Sequence, residues 1–279
     1  MIRASAYAKI NLFLEITGRR SDGYHTLSTV FQTISLGDSL TFHPAGGLSL
    51  TCSDPSLPTD ERNLVMKSAV RLRDVLKESQ GAKIHLHKKV PMGAGLGGGS
   101  SDAAAVLRTL PRLWGRRIGV SVLHRLAVEL GADVPFFLKG GLCRATGIGD
   151  KLKPLEARTK TWLVLVYPEF GVSTKEAYSR VRLPFNDPRR VDLKNLSLRL
   201  YNRFEELVFP DHPELPELKQ ELLRLGARAA LMSGSGSSVF GLVRSKTAGE
   251  KVLAAIRPRY RQSWLVHTGP PFFTDGRSG

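Results

Sequence analysis

A glycine-rich segment in the first half of the chain constrains the fold most. Residues 91–105 read PMGAGLGGGSSDAAA, with five glycines in the seven positions 93–99. A strand-like alternation over residues 83–90 precedes the segment, and a helix-like pattern over residues 102–113 follows it. Glycine permits positive φ and close approach of a ligand, and a helix N-terminus adds free N–H groups. A purely structural turn seldom needs so many glycines, so the segment predicts an anion-binding loop.

Three kinds of phosphate loop compete for this segment. A Walker-type loop needs a lysine before the helical Ser or Thr, and Gly99–Ser100 has none. A dinucleotide fingerprint is present at glycines 93, 95 and 98, but residues 103–128 contain no acid for the ribose. The preceding strand is also half polar, unlike a central parallel strand. The third kind, a different nucleoside-triphosphate loop, fits best.

The order of elements predicts an α+β protein of two domains, 1–155 and 156–279. Residues 10–16 alternate as a strand, with Ile10, Leu12, Leu14 and Ile16 on one side, and helical spacing recurs over 64–76, 102–113 and 122–130. The second half alternates strands and helices over 161–167, 214–225, 228–232, 239–243, 247–256 and 263–267. With intervening helices set aside, this is the β-α-β-β-α-β order of a ferredoxin-like domain.

Charge and composition narrow the partners without identifying a function. The 279 residues include 41 Lys plus Arg and 25 Asp plus Glu, a formal net charge of +16 that favours anionic ligands. The basic residues are dispersed, which is typical of a solvated surface, and no long apolar run predicts a membrane span. The two cysteines, Cys52 and Cys143, exclude a disulfide framework and favour a cytoplasmic protein.

Several motifs in order resemble one enzyme superfamily, that of galactokinase, homoserine kinase, mevalonate kinase and phosphomevalonate kinase. They are AKINL at 8–12, the glycine segment at 91–105 and SGSGSS at 233–238. RRSDGYHTLSTVFQTISLGD at 19–38 and LGADVPFFL at 130–138 are similar to the branch of 4-diphosphocytidyl-2-C-methyl-D-erythritol kinases. Ile148 departs from some relatives, which carry a basic residue between the two glycines, and the tail after Gly269 matches nothing in the family.

The resemblance implies transfer of the ATP γ-phosphoryl to the 2-hydroxyl of the cytidyl-diphospho-methylerythritol, in the non-mevalonate isoprenoid pathway. It implies an N-terminal α+β domain like ribosomal protein S5, and Mg²⁺ that enters with ATP, with Ser101 as a candidate ligand. The implied ATP-binding residues are Pro91, Met92, Gly93, Ala94, Gly95, Leu96, Gly97, Gly98, Gly99, Ser100 and Ser101. The implied acceptor-binding residues are Asn11, Tyr24, His25, Tyr178, Ser235 and Gly236.

Two residues are candidates for catalysis. Asp133 precedes a predicted helix start, so it is either a helix-capping carboxylate or a base for the acceptor hydroxyl. Lys9 lies among apolar strand residues, where a lysine is costly unless it is paired, although it could also point outward from an edge strand. The resemblance favours the catalytic interpretation of both.

Simpler interpretations remain open for the other candidate residues, and other functions remain open for the chain. Tyr24–His25 suits a pyrimidine ring but also an ordinary surface pair, and His85 with His87 is better explained as a solvent-facing stripe than as a metal site. Another small-molecule kinase of the superfamily is the nearest alternative. A basic nucleic-acid-binding protein is a weaker one, because the strands lack paired exposed aromatics. We therefore expect small-molecule substrates and neither nucleic-acid nor membrane partners.

Overall fold

The computed structural model describes residues 1–156, 160–185 and 200–269, and within them two β-sheets are covered by α-helices. The larger sheet contains β1 (Ile2–Arg19), β2 (His25–Ala45), β3 (Leu48–Cys52), β4 (Gly81–His87), β5 (Leu142–Gly147), β6 (Lys151–Leu155) and β8 (Tyr201–Asn202). The smaller sheet contains β7 (Trp162–Val166), β9 (Ala229–Met232), β10 (Val239–Val243) and β11 (Ser263–His267). The predicted α+β class is confirmed. None of the helices in these ranges has the length and apolarity needed to cross a bilayer.

The larger sheet is organised by the length of β2, which has 21 residues. β1 pairs with it antiparallel along most of that length. Its two ends take different neighbours on the other side, β5 at residues 27–32 and β4 at residues 39–45. The sheet therefore has two branches on that side of β2, while β1 pairs along the opposite side of β2.

Residues 10–16, predicted as a strand with Ile10, Leu12, Leu14 and Ile16 on one side, lie within β1. Asn11 and Glu15 are 1% and 0% exposed, so the polar positions are buried as well. The reason is that β1 is covered from both sides. Ala6 packs in the cluster formed with the N-terminal helices, while Ile10 packs with Leu165 of the smaller sheet.

Four helices cover the larger sheet: α1 (Leu64–Leu76), α2 (Gly98–Leu113), α3 (Val120–Leu130) and α4 (Val134–Lys139). α2 begins at Gly98, four residues before the predicted start at Asp102. Gly97 takes the N-cap position with a left-handed φ of 69°, which ends the loop and starts the helix. The last glycines of the loop are therefore the first turn of a 16-residue helix, with its free N–H groups.

The smaller sheet has the strand order β11-β7-β10-β9, with all neighbours antiparallel. α7 (Glu214–Arg224) and α8 (Lys246–Ile256) are the two helices of the β-α-β-β-α-β unit, so the ferredoxin-like prediction is confirmed. Two short helices, α5 (Thr174–Ser179) and α6 (Arg203–Val208), stand between β7 and α7. The tail from residue 270 lies outside the described residues.

The two halves of the chain are connected through β1 and β2. β8 follows β7 in the chain but pairs parallel with β1, and Ile34 forms an isolated bridge with Thr268. At the end of β8, Arg203 donates from Nε and Nη2 to both carboxylate oxygens of Glu15, each at 2.8 Å. Both side chains are at most 1% exposed, so neither charge has water as an alternative partner. The domain division at residue 155 stays a prediction.

Candidate active site

A cleft of about 630 Å³ brings together residues from both halves of the chain. Its walls include residues 91–100 of the glycine loop, Lys9 and Asn11 of β1, and Asp133 at the start of α4. Tyr178 and Ser235 line it from the C-terminal half. The sequence motifs thus converge on one cavity, and Ser101, Tyr24, His25 and Gly236 are the predicted site residues that are not among its lining residues.

The glycine loop is shaped by close contacts as well as by its backbone angles. A Cβ on Gly97 would lie 2.8 Å from the Phe137 ring, and one on Gly95 would lie 2.0 Å from the carbonyl oxygen of Ser233. Both glycines have positive φ, 73° at Gly95 and 69° at Gly97. No side chain fits at Gly95, because the backbone of the second loop stands there.

That second loop, the Ser/Gly segment at 233–238, is bound directly to the first. The Ser233 hydroxyl donates to the Gly95 carbonyl at 3.0 Å, and the Ser238 N–H donates to the Ala94 carbonyl at 3.2 Å. Ser235 lines the cleft with its hydroxyl 2.9 Å from that of Thr174. Gly236 is turned away, since a Cβ there would lie 2.7 Å from the sulfur of Met232.

Lys9 is buried and points into the cleft. Its ammonium donates to Asn11 Oδ1 at 2.8 Å and to the Gly95 carbonyl at 3.1 Å, and it lies 3.6 Å from Asp133 Oδ2. Burial lowers the pKa of the Lys9 ammonium, and the Asp133 carboxylate acts in the opposite direction. The outward-pointing alternative for Lys9 is therefore wrong, because only 4% of the residue is exposed.

Asp133 occupies the N-cap position of α4 without capping the helix. Its side chain makes no capping hydrogen bond, and its Oδ2 faces Lys9 instead. The side chain is 32% exposed and lines the cleft, so one carboxylate is held by a cation and remains accessible to a ligand. This geometry suits a group that accepts a proton from a bound hydroxyl.

Asn11 fixes the direction in which Lys9 points. Its Nδ2 donates to Thr29 Oγ1 at 2.8 Å, and that hydroxyl donates to the Phe13 carbonyl at 2.6 Å. Since these bonds orient the amide, Asn11 Oδ1 is directed at the Lys9 ammonium. Asn11 therefore acts here as a support for Lys9.

Two of the aromatic residues predicted to bind the acceptor, His25 and Tyr178, are stacked on each other. His25 stacks on Tyr178 with ring centroids 5.1 Å apart and an interplanar angle of 19°. Tyr178 in turn meets Phe204 edge-on at 4.9 Å. Tyr24 is 61% exposed. Burial lowers the pKa of the His25 imidazole, and the charge of Arg19 adds to this, so the neutral ring is favoured.

Among the described residues, the acidic, His and Cys side chains do not by themselves form a Mg²⁺ site. Ser101, the predicted ligand, is 0% exposed and donates its hydroxyl to the Tyr7 carbonyl at 2.7 Å, so it does not reach the cleft. Within the described ranges, no three or more His, Cys, Asp or Glu side chains cluster as a metal site, which includes His85 and His87. Magnesium usually enters with ATP, held by phosphates and water.

A buried ionic cluster beside the loop was missed by sequence reasoning. The Lys88 ammonium lies 2.5 Å from Asp38 Oδ2 and 2.9 Å from Asp102 Oδ2, and its side chain is 8% exposed. Burial lowers the pKa of Lys88, but the two carboxylates outweigh this and raise it overall. Burial raises the pKa of Asp102 to about 7; Lys88 opposes this and the Asp38 charge adds to it. Asp102 Oδ1 has no hydrogen-bond partner.

A second missed feature is the loop before α1. Leu57, Pro58 and Leu64 line the cleft next to the glycine loop, with Leu64 Cδ1 3.6 Å from the Cβ position of Gly99. Asn63 holds this segment by accepting the Val65 N–H at 3.0 Å and donating to the Pro58 carbonyl at 2.9 Å. The sequence of this segment is typical of an ordinary loop, and no local pattern indicates its contact with the cleft.

Comparison with known proteins agrees with this geometry. The family models "GHMP kinases N terminal domain" and "GHMP kinases C terminal" match residues 63–141 and 189–262. The chain is 44% identical over 274 residues to a 4-diphosphocytidyl-2-C-methyl-D-erythritol kinase of Prosthecochloris aestuarii, covering 93% of this chain and 95% of that protein. A relative of the same name from Symbiobacterium thermophilum is 40% identical, covering 94% and 98%.

Solved structures give the same result. A crystal structure of a 4-(cytidine 5'-diphospho)-2C-methyl-D-erythritol kinase superposes with a TM-score of 0.83 at 37% identity, covering 96% of this chain and 99% of that one. A mevalonate kinase shares the fold alone, with a TM-score of 0.68 at 14% identity, covering 96% and 99%. Fold and cleft together define a kinase of the GHMP superfamily. Within it, the chain belongs to the 4-diphosphocytidyl-2-C-methyl-D-erythritol kinase family.

Proposed function

We propose that this chain transfers the γ-phosphoryl group of ATP to the 2-hydroxyl of 4-diphosphocytidyl-2-C-methyl-D-erythritol, a step of the non-mevalonate isoprenoid pathway. The observation that carries the proposal is the Lys9–Asp133 pair, with 3.6 Å between Nζ and Oδ2, in the same cleft as the glycine loop. The similarity to relatives that carry this enzyme name over nearly the whole chain supports the choice of acceptor.

The glycine loop and the first turn of α2 bind the ATP phosphates in this proposal. Gly97, Gly98 and Gly99 line the cleft where α2 begins, so the free N–H groups of a helix N-terminus face the anion. Leu57, Pro58 and Leu64 form an adjoining apolar wall that suits the face of a purine ring.

Asp133 and Lys9 act at the other end of the triphosphate. The acceptor oxygen attacks the γ-phosphorus, the bond from that phosphorus to the β–γ bridging oxygen breaks, and ADP leaves with the bond's electron pair. Asp133 accepts the hydroxyl proton, while Lys9 holds the carboxylate in place and stabilises negative charge that develops on the transferred group. Mg²⁺ bound to ATP supplies charge neutralisation, and we assign it no residue.

The cytidine end of the acceptor lies, in this proposal, by the stacked rings of His25 and Tyr178. Neutral imidazole can both donate and accept hydrogen bonds, as the amine and ring nitrogen of cytosine require. Tyr24, exposed beside His25, is the residue available to cover the base once it is bound. Two unpaired thiols, at Cys52 and Cys143, fit the reducing cytoplasm that we propose as its location.

The test is ADP release from the purified protein with ATP and Mg²⁺, measured against three acceptors: 4-diphosphocytidyl-2-C-methyl-D-erythritol, mevalonate and homoserine. We expect turnover with the cytidyl acceptor and at most 1% of that kcat/KM with the others. Turnover of mevalonate or homoserine in its place would assign the chain to another activity of the superfamily. Salt-sensitive binding to random DNA with no ATP turnover would favour the nucleic-acid alternative.

A further inference from the structure

Ile148 is an apolar cleft residue that the packing of the protein does not explain. It is half-buried and lines the cleft, yet it belongs to none of the three hydrophobic clusters of the described residues. Such a side chain contributes little to the core, and its place in the cleft makes it available to a bound ligand.

The turn that carries Ile148 is held firmly. The residue stands between β5 and β6, flanked by Gly147 and Gly149, both at positive φ. Its N–H donates to Asp150 Oδ1 at 3.1 Å, and the Gly149 N–H donates to the Thr146 carbonyl at 3.2 Å. A fixed turn presents the isoleucine in one place, as a specificity contact requires.

The position of the turn relates it to the Lys9–Asp133 pair. The Cβ position of Gly149 lies 3.8 Å from the carbonyl of Ala132, the residue before Asp133, and 3.9 Å from Cζ of Phe31. Phe31 is the ring over which the Lys9 ammonium stands, 5.4 Å from its centroid. Ile148 is the residue before Gly149 in this turn, and it shares the cleft lining with Phe31 and Asp133.

The acceptor of the proposed reaction carries a methyl group on the carbon that bears the reacting hydroxyl. Rotation about this tertiary centre can exchange the directions of the methyl, the hydroxyl and the hydroxymethyl arm. An apolar surface that accepts only the methyl leaves the hydroxyl in a single direction, and orientation of this kind lowers the barrier to transfer.

Building on the proposed function, we propose that Ile148, together with the Phe31 ring, is the seat for the 2-C-methyl group and directs the 2-hydroxyl to Asp133. The role is one of specificity and positioning, with no proton or phosphoryl group transferred through Ile148. A basic residue at this position cannot supply such a surface, because its charged end prefers water or an anion.

The experiment compares 4-diphosphocytidyl-2-C-methyl-D-erythritol with 4-diphosphocytidyl-D-erythritol, which lacks the methyl. For the wild type we expect kcat/KM to be about 10–200-fold higher with the methylated acceptor, the usual range for one methyl in an apolar pocket. Ile148→Ala should lower kcat/KM about tenfold or more with the methylated acceptor and change it little with the other. The ratio between the two acceptors is then mostly lost. Ile148→Val should give an intermediate ratio and guards against a folding defect in the alanine variant.

Ile118→Ala is the matched control, because Ile118 is also a half-buried isoleucine but packs on the core outside the cleft. Its acceptor ratio should equal that of the wild type. An equal fall with both acceptors in Ile148→Ala and Ile148→Val would overturn the inference and leave the proposed function intact. A wild type that phosphorylates neither acceptor would overturn both.

Discussion

Two buried lysines stand on the walls of the same cleft and are used in opposite ways. Lys88 is held by two carboxylates, Asp38 and Asp102, whose side chains are 0% and 3% exposed. Lys9 has one carboxylate, at the longer distance of 3.6 Å, and that group is 32% exposed. The carboxylates around Lys88 are closed off from solvent, whereas the Lys9 site keeps its acid open to the cleft. The difference separates a structural ion cluster from a pair that can act on a ligand.

The largest effect is expected at the Lys9–Asp133 pair, whose carboxylate is open to the cleft. Asp133→Asn removes the proton acceptor but keeps the size of the side chain, so kcat should fall about 10²–10⁴-fold. Some loss of melting temperature is expected, because the buried Lys9 ammonium loses its carboxylate partner, so activity is compared at a temperature at which the variant is folded. Steady-state ADP release and a thermal melt check both points. Wild-type turnover in the folded variant would remove Asp133 from the mechanism.

Lys88→Met tests the buried cluster of Lys88, Asp38 and Asp102. The substitution leaves two buried carboxylates without their cation, so we expect a loss of about 3–5 kcal/mol in the free energy of unfolding, measured by urea titration. Lys89→Met is the control, since Lys89 is the next residue and is exposed. Similar stabilities for the two variants would mean that the Lys88 cluster contributes no more than a surface charge.

Lys9→Met sharpens the distinction between catalysis and nucleotide binding. Loss of the charge at the transfer centre should lower kcat by about 10²-fold, in line with the removal of one preorganised donor, and should change the KM for ATP less. Full kinetics with ATP and acceptor varied separately provide the measurement. If only the KM for ATP rose, Lys9 would be a nucleotide ligand and its pairing with Asp133 would have no catalytic role.

The smallest effect, taken per pH unit, is the dependence of stability on pH. The pKa of the Asp102 carboxyl is raised to about 7, above its ordinary value of 3.8, so the folded protein binds this proton more tightly than the unfolded chain does. Wild-type stability should therefore fall as pH rises from about 4 towards 7, by up to about 1 kcal/mol per pH unit. Asp102→Asn should lose this slope. Parallel slopes in urea titrations at pH 5, 6 and 7 would assign the pH dependence to other groups.

The sequence predicted the elements and motifs whose signals are local. The glycine loop, α3 ending at Gly131, and the ferredoxin-like order all follow from spacing within a few residues. Lys9 and Asp133 were named from motifs, and the structure brings them to 3.6 Å, while their catalytic role stays a prediction.

What could not be predicted depends on partners that are distant in the chain. Asp38 and Lys88 are 50 residues apart, and Glu15 and Arg203 are 188 apart, so each reads alone as a surface charge. The alternation in β1 placed Glu15 on a polar face, because periodicity does not reveal that a second sheet covers it. The position of Ser101 in the loop suggests a metal ligand. Because α2 already begins at Gly98, Ser101 lies within the helix and its side chain is buried.

The carbonyl oxygen of Gly95 receives one hydrogen bond from Lys9 in the first strand and another from Ser233 near the end of the chain. A fragment ending at residue 155 would contain every glycine of the loop but would lose the partner that stands against its backbone. Such a fragment should not hold ATP, even if its helices form. We therefore expect nucleotide binding to appear only after the last third of the polypeptide has been synthesised and has folded back onto the first.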